Sequence, residues 1–183
     1  MPKTNSEQDI ETTAGVTFTD KSLLHQALVH RSYLNEVASE KSSNERLEFL
    51  GDAILEFVVS EHLFQEFPNQ PEGNLTAIRA KLVNAAALAQ VAKEINLGAT
   101  LYLSRGEEQS GGRTNPGILA DGVEALIGAI FLDQGIGAAH EFVGRHVLVN
   151  LDEVVKHSLK DPKSLLQEFV QAQGLPTPVY RVV

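Results

Sequence analysis

The chain has 183 residues and no cysteine, so disulfide frameworks, thiolate metal sites and cysteine nucleophiles are excluded. Its hydrophobic content of 43% is ordinary for a globular protein, and no apolar run approaches the length of a membrane span. The net charge of −9, taken alone, argues against nucleic-acid binding, because nucleic-acid-binding proteins are usually basic. A polar N-terminus without a signal-peptide pattern completes the prediction of a soluble, cytoplasmic protein.

The spacing of apolar residues predicts a helical body. Residues 1–14 are expected to be a polar tail, and a first helix follows Thr19 or Asp20. A long helix is predicted over about 44–67, where Pro68 and Pro71 end it. The other predicted elements are a helix starting near residue 73, a helix over 85–95, a glycine-rich loop over 101–117, a buried helix over 118–132 and a helix over 138–157. No strand is predicted before Val179, so the body belongs to the all-α class.

The last residues of the chain have a different pattern. Residues 158–163 are predicted to be a polar linker, and residues 164–183 to hold one amphipathic helix and the start of one strand. A helix and a single strand cannot bury a core of their own, so this fragment is not expected to be a complete domain.

Acidic residues recur at helical spacing on the long helix. Glu45, Glu48 and Asp52 stand at positions i, i+3 and i+7, which places them on one stripe of the helix. Such a stripe is often an ordinary solvated face, but then basic residues are expected four positions further on. Glu45 has Phe49 there and Asp52 has Glu56, so the stripe indicates a bound cation.

A second acidic pair lies on the apolar helix. Asp121 and Glu124 stand three residues apart, and no Lys or Arg occurs between Arg113 and Arg145. A carboxylate on a buried helix is costly unless it is paired or bound to a metal, so the pair needs a partner from elsewhere in the fold. Oxygen ligands favour Mg²⁺ or Mn²⁺, and two carboxylate-bearing helices that face each other would form a metal site.

At this point the sequence resembles a known family. The segment NERLEFLGDAIL (residues 44–55) resembles the signature segment of ribonuclease III. Further blocks resemble the rest of the family in the same order: LVHRS (28–32), EGNLTAIRAKLVN (72–84), GEEQSGG (106–112) and ILADGVEALIGAIFLD (118–133). The resemblance covers about residues 5–157, and the tail from Asp161 resembles the opening of a double-stranded-RNA-binding domain.

The resemblance implies a fold and an activity. It implies an all-α endonuclease domain over 15–157 that forms a homodimer, followed by an incomplete α/β fragment over 164–183. It implies Mg²⁺-dependent hydrolysis of double-stranded RNA, with Mn²⁺ able to substitute and no small-molecule cofactor. The implied products have 5′-phosphate and 3′-hydroxyl ends with short 3′ overhangs, and the implied role is the processing of ribosomal RNA precursors and other RNAs.

The resemblance also implies roles for individual residues. Four acids match the family's metal ligands: Glu48, Asp52, Asp121 and Glu124. Asp52 and Glu124 are implied to be catalytic, with Glu45 and Glu72 as further catalytic acids near the site. Phe49 matches an aromatic residue that inserts into a socket on the partner subunit, although an aromatic at this position could also belong to the core.

Substrate binding is the least specified part of the prediction. Because the tail holds only the beginning of an RNA-binding domain, the nuclease domain is expected to supply its own phosphate contacts. Arg105 and Arg113 are the candidates, with a plain solubilising role as the alternative. Two other functions stay open: a non-catalytic RNA-binding or ribosome-associated member of the same fold, and a phosphohydrolase of small substrates. The former is expected to lack metal-binding acids, and all of them are present here.

Overall fold

A computed structural model of the chain describes residues 6–158, together with Val170 and Gly174. The α-helices of the described part are α1 (Ser6–Ala14), α2 (Lys21–Leu28), α3 (Glu45–Glu66), α4 (Glu72–Leu82), α5 (Ala85–Glu94), α6 (Leu97–Thr100), α7 (Arg105–Gln109), α8 (Pro116–Gln134), α9 (Ile136–His146) and α10 (Leu151–Ser158). Short 3₁₀ turns cover Arg31–Asn35, Gly112–Thr114 and Leu148–Asn150. No strand occurs among these residues, only an isolated bridge between Val29 and Tyr102, and the predicted all-α class is confirmed.

Helix α8 is the centre of the fold. Pro116 opens it and the side chain of Asn115 caps it, accepting hydrogen bonds from the backbone N–H groups of Gly117 and Ile118. Its residues from Leu119 to Ile130 are buried except Asp121 and Glu124, since α2, α3, α5 and α9 pack around it. Neither α8 nor any other helix of the described part is long and apolar enough to span a membrane.

Helices α3 and α8 cross in backbone contact. A Cβ atom on Gly51 would lie 1.7 Å from the carbonyl oxygen of Glu124, and one on Gly128 would lie 2.3 Å from the carbonyl oxygen of Leu47. Only glycine leaves room for such an approach. The crossing therefore brings the acids beside Gly51 on α3 next to the acids of α8.

Three predicted elements differ from the structure. The predicted tail contains α1, whose Ile10 and Ala14 lie one turn apart and are buried in the core. The glycine-rich loop contains α7, because the hydroxyl of Ser104 caps it by accepting a hydrogen bond from the N–H of Glu107. The single helix predicted over 138–157 is broken by the turn at Leu148–Asn150, and this break lets α10 pack against α4.

The predicted linker and C-terminal fragment cannot be compared with the structure in the same way. Residues 158–163 and 164–183 lie outside the described residues, apart from Ser158, Val170 and Gly174.

Candidate metal centre

Three carboxylates converge where α3 crosses α8. Glu48, Asp121 and Glu124 each offer one carboxylate oxygen, and these oxygens lie within 4.8 Å of one another. All three residues are partly buried. Within the described ranges, no ion pair joins any of them to a basic side chain. A compact set of unpaired carboxylate oxygens fits a hard divalent cation such as Mg²⁺ or Mn²⁺.

The electrostatics of the three acids agree with that fit. Burial raises the pKa of Glu124 to about 7, and the negative charges of Asp52 and Asp121 act in the same direction. Burial likewise raises the pKa of Glu48, as does the charge of Asp121. Burial also raises the pKa of Asp121. The site therefore resists carrying all its negative charges at once, and a bound cation would remove this repulsion.

Two more acids predicted for the site lie at its edge. Asp52 is exposed and does not belong to the compact group of three, although its charge acts on both Glu48 and Glu124. Glu45 is exposed as well; it accepts a hydrogen bond of 2.7 Å from the hydroxyl of Ser43, and Arg31 lies 3.7 Å from its carboxylate. The structure thus joins three of the four predicted metal ligands and places the fourth beside them.

A cleft of about 650 Å³ opens next to Glu48 and Asp121, which both line it. Glu45 and Glu107 add further acids. The same cleft contains hydrogen-bond donors and one arginine: His30, Arg31, Ser32, Asn35, Asn44 and Asn115. A phosphate group in this cleft would meet donors on side chains as well as any cation held by the acids.

Glu72 lies elsewhere in the subunit. It is exposed at the start of α4, where the hydroxyl of Thr76 donates a hydrogen bond of 2.9 Å to it. It lines a groove of about 490 Å³ between α3 and α4, together with Phe57, Phe64 and Arg79. Glu72 neither lines the cleft nor joins the three-carboxylate group.

Comparison with known proteins places this arrangement in a family. A family model described as Ribonuclease-III-like matches residues 20–151. "Ribonuclease 3" of Geobacillus thermodenitrificans is 44% identical over 177 residues, which is 96% of this chain and 72% of the relative. "Ribonuclease 3" of Borreliella burgdorferi is 43% identical over 173 residues, covering 91% of this chain and 69% of that relative. The chain belongs to the ribonuclease III family.

Solved structures agree. The nuclease domain of ribonuclease III from Campylobacter jejuni is 42% identical and superposes with a TM-score of 0.73, covering 78% of this chain and 96% of that domain. Dicer from Giardia intestinalis is 26% identical with a TM-score of 0.58, covering 78% of this chain and 19% of the larger protein. The chain is therefore a ribonuclease III-type endoribonuclease, and the metal dependence of this family agrees with its acidic cluster.

Phe49 projects from the ribonuclease III domain into solvent. Its relative solvent exposure is 80%, whereas Leu47 and Ile54 on the same helix are buried. The alternative that Phe49 belongs to the core of the subunit is therefore wrong. Phe49 borders a second apolar depression of about 620 Å³, formed with Leu23, Leu50 and Leu132.

The two candidate arginines have different surroundings. The guanidinium of Arg113 donates hydrogen bonds to the carbonyl oxygens of Gly98 and Leu101, at 2.9 and 3.0 Å, and pairs with Glu108 at 2.7 Å. These bonds tie the α7 region to α6, so Arg113 has an intramolecular role. Arg105 is exposed, and its backbone N–H donates a hydrogen bond of 2.8 Å to the carboxylate of Glu36. Contact of either arginine with RNA stays a prediction.

Most residues that line the cleft were not predicted as site residues from the sequence. His30, Glu107 and Asn115 come from separate segments that meet only in the fold. The available signal was that His30 and Glu107 lie in blocks resembling ribonuclease III, LVHRS and GEEQSGG. Neither block contains helical or strand periodicity that would aim its side chains at the acids.

Proposed function

We propose that this endoribonuclease cleaves both strands of double-stranded RNA in a Mg²⁺-dependent reaction. The observation that carries the proposal is the unpaired group of Glu48, Asp121 and Glu124 at the glycine crossing, within a ribonuclease III fold. The "Ribonuclease 3" relatives support the RNA substrate. The expected products have 5′-phosphate and 3′-hydroxyl ends with short 3′ overhangs, and the expected substrates include ribosomal RNA precursors. We also expect a cytoplasmic location.

Each acid has a task in this proposal. Glu48, Asp121 and Glu124 would hold the cation, and Asp52 would complete the ligand set from the rim. When bound, divalent cations supply an activated water and stabilise the leaving oxygen of a phosphodiester. Glu45 adds negative charge at the cleft mouth, and its contact with Arg31 orients that arginine toward the cleft that both residues line.

Substrate binding must overcome the net charge of −9. Phosphate contacts supply much of the affinity for nucleic acid, so an acidic protein needs local donors. Arg31 in the cleft and the exposed Arg105 are the basic groups that we propose for this contact, and Arg113 would act through the loop that it holds. Glu72 is proposed as a further acid for the reaction, acting from outside the three-carboxylate group.

The first experiment measures cleavage of end-labelled duplex RNA with Mg²⁺, with Mn²⁺, with Ca²⁺ and with chelator, and repeats each measurement on a small phosphoester substrate. We expect cleavage of the duplex only, and only with Mg²⁺ or Mn²⁺, because the looser geometry of Ca²⁺ positions the attacking water poorly. Asp52→Asn and Glu124→Gln should each lower the rate at least about 100-fold. Glu40→Gln, which alters an acid outside the cleft, should leave the rate unchanged.

The outcomes separate the alternatives. Full activity of Asp52→Asn or Glu124→Gln at millimolar Mg²⁺ would refute the site. Binding of duplex RNA with no cleavage under any metal would establish the non-catalytic alternative. Hydrolysis of the small phosphoester alone would establish the phosphohydrolase alternative.

We also propose that the protein is a homodimer in which Phe49 of each subunit inserts into the other. Exposing 80% of a phenylalanine to water costs free energy. A two-fold interface would bury Phe49 of both subunits. The solved nuclease domain from Campylobacter jejuni carries a region described as involved in dimer formation, which supports the proposal.

Phe49→Ala tests the dimer. We expect it to weaken self-association by about 2–4 kcal/mol, the range of an interface hot spot, measured by sedimentation equilibrium. Val149→Ala is the matched control, since Val149 is also an exposed apolar residue, at 62%, but lies in the turn before α10. A wild-type protein that sediments as a monomer at micromolar concentration would contradict the dimer.

A further inference from the structure

His30 lines the cleft and stands two residues after the end of α2. Its backbone N–H donates to the carbonyl oxygen of Tyr102, and the N–H of Asn44, the residue before α3, donates to the carbonyl oxygen of Val29. These bonds hold the backbone around His30 against the segment that carries Glu45 and Glu48. The imidazole lines the same cleft as Glu48 and Asp121.

The hydrogen bonds of the imidazole determine its tautomer. Nδ1 accepts a hydrogen bond of 3.3 Å from the backbone N–H of Ser32, and the Ser32 hydroxyl lies 2.8 Å from the same nitrogen. That hydroxyl in turn accepts a hydrogen bond of 3.0 Å from the backbone N–H of Ser104. A nitrogen that accepts from an N–H carries no proton, so the ring proton of the neutral imidazole is on Nε2.

Nε2–H of His30 is therefore a donor fixed in direction, and within the described residues no hydrogen bond engages it. It cannot ligate a cation while it carries its proton, and Nδ1 is already occupied. Burial lowers the pKa of His30, which agrees with a neutral ring. The group suited to this donor is an anionic oxygen that enters the cleft beside the acids.

We propose that His30 binds the RNA directly, its Nε2–H donating a hydrogen bond to a non-bridging oxygen of the phosphate that is cleaved. This inference rests on the proposed function, because it needs the phosphate to sit beside Glu48 and Asp121. The acids alone repel a phosphate, and a neutral donor in the lining of the same cleft helps to orient the phosphate without competing for the cation. Ser32 is a positioning residue in this arrangement, since it fixes the tautomer of His30.

Two substitutions separate the two nitrogens of the ring. In His30→Asn the side-chain oxygen can still accept from Ser32, but no donor reaches the cleft. In His30→Gln the longer amide can place an N–H near the position of Nε2. We expect His30→Asn to lower kcat at least about tenfold, the effect of losing a hydrogen bond to a charged group, with KM changed less than about threefold. His30→Gln should retain at least about a third of the wild-type kcat.

Binding and folding are measured on the same variants. Affinity for duplex RNA in Ca²⁺, followed by fluorescence anisotropy, should change less than about threefold, because many phosphates contribute to it. Thermal unfolding should show the Asn and Gln variants within a few degrees of each other. Equal losses of kcat in both variants, or no loss in either, would overturn the proposal.

A modified substrate provides a test that does not depend on the stability of the variants. Sulfur in place of one non-bridging oxygen at the cleaved phosphate should slow the wild type by weakening the bond from His30. The same substitution should slow His30→Asn several-fold less for one of the two diastereomers. Equal sulfur effects in both proteins would overturn the proposal. The proposal would also fail if the loss of kcat in His30→Asn disappeared on a substrate without the neighbouring 2′-hydroxyl, because His30 would then contact that hydroxyl and not the phosphate.

Failure of this inference is distinguishable from failure of the proposed function. If Asp52→Asn and Glu124→Gln are inactive while His30→Asn is fully active, the metal site stands and His30 has no role in binding. If the acid variants are fully active, the site assignment itself fails.

Discussion

Two groups of acidic residues in this structure have different partners. Near the junction of α1 and α2, Glu7 and Glu40 both contact the imidazole of His25, at 2.8 and 3.0 Å. At the crossing of α3 and α8, the carboxylates of Glu48, Asp121 and Glu124 face one another. The first group is balanced, in the sense that each carboxylate has the imidazole of His25 as a partner, and it joins α1, α2 and the segment before α3. The second group has no basic partner within 4 Å in the described part of the chain.

The difference shows how acidic residues of similar burial can have opposite consequences for stability. An acid paired with His25 contributes to the fold, while an acid in the second group opposes it until a cation binds. A protein keeps such a costly arrangement where it needs it for function, which supports the proposal that the unpaired group belongs to the active site. The backbone contact at Gly51 and Gly128 is what forces these acids together.

The largest effect should come from separating the two crossing helices. Gly51→Ala would place a Cβ atom 1.7 Å from the backbone carbonyl oxygen of Glu124, and a backbone atom cannot move aside as a flexible side chain can. We expect a loss of about 3 kcal/mol or more in the free energy of unfolding, measured with urea.

Gly144→Ala is the matched control for that substitution. Gly144 lies inside α9 with nothing within 4 Å of a built Cβ, so alanine should raise stability by up to about 1 kcal/mol. Similar losses for both variants would show that the crossing is not close.

A smaller change in stability is expected when one carboxylate is neutralised in each of the two acidic groups. Its sign should be opposite in the group of Glu124 and in the group of Glu40. Because the folded protein raises the pKa of Glu124 from 4.5 to about 7, its ionisation opposes folding. This penalty is absent below pH 4.5, grows as pH rises and is complete above pH 7. Glu124→Gln should therefore stabilise the metal-free protein at pH 8 by about 1–2 kcal/mol, after allowance for solvent screening.

The partner variant and the metal complete this test. Glu40→Gln removes a contact with His25 and should lower stability at pH 6. Mg²⁺ should raise the unfolding temperature of the wild type more than that of Glu124→Gln, since a ligand of the folded state stabilises it. A destabilised Glu124→Gln protein, or an equal response of both proteins to Mg²⁺, would contradict the unpaired site.

Much of the fold could be predicted from the sequence, because the longest helices have simple sequence patterns. Prolines end α3, and the continuous apolar pattern of α8 reflects burial on all sides. The prediction of a tail over residues 1–14 was wrong because α1 buries only two apolar residues, Ile10 and Ala14, in an otherwise polar segment. Periodicity over nine residues with so few apolar positions is too weak a signal.

The candidate site was accessible in part. The spacing of acids on two helices predicted a shared cation site, and the structure brings Glu48 together with Asp121 and Glu124. Spacing could not reveal how closely the helices cross, because that depends on Gly51 and Gly128 meeting in space. It also could not assign His30 to the cleft, since the orientation of its ring depends on Ser32 and on the distant segment at Ser104.

The smallest expected effect concerns the balanced group. Burial lowers the pKa of His25, but hydrogen bonds from the ring to Glu7 and Glu40 outweigh burial and raise the pKa above 6.5. A raised pKa means that protonated His25 stabilises the fold fully below pH 6.5, and that this contribution is lost as pH rises through the raised value. His25→Gln should therefore be less stable than the wild type by about 0.5–1 kcal/mol at pH 5.5 and nearly equal to it at pH 9. The effect is small because a partly exposed pair is screened by solvent.

In a Glu40→Gln background, His25→Gln should have a smaller effect on stability at pH 5.5. Urea unfolding of the wild type, the two single variants and the double variant would measure this difference as a coupling between the two residues. A cost of His25→Gln that is the same at both pH values would show that the imidazole acts through packing against Tyr102, whose ring centroid lies 4.8 Å away, and not through its charge.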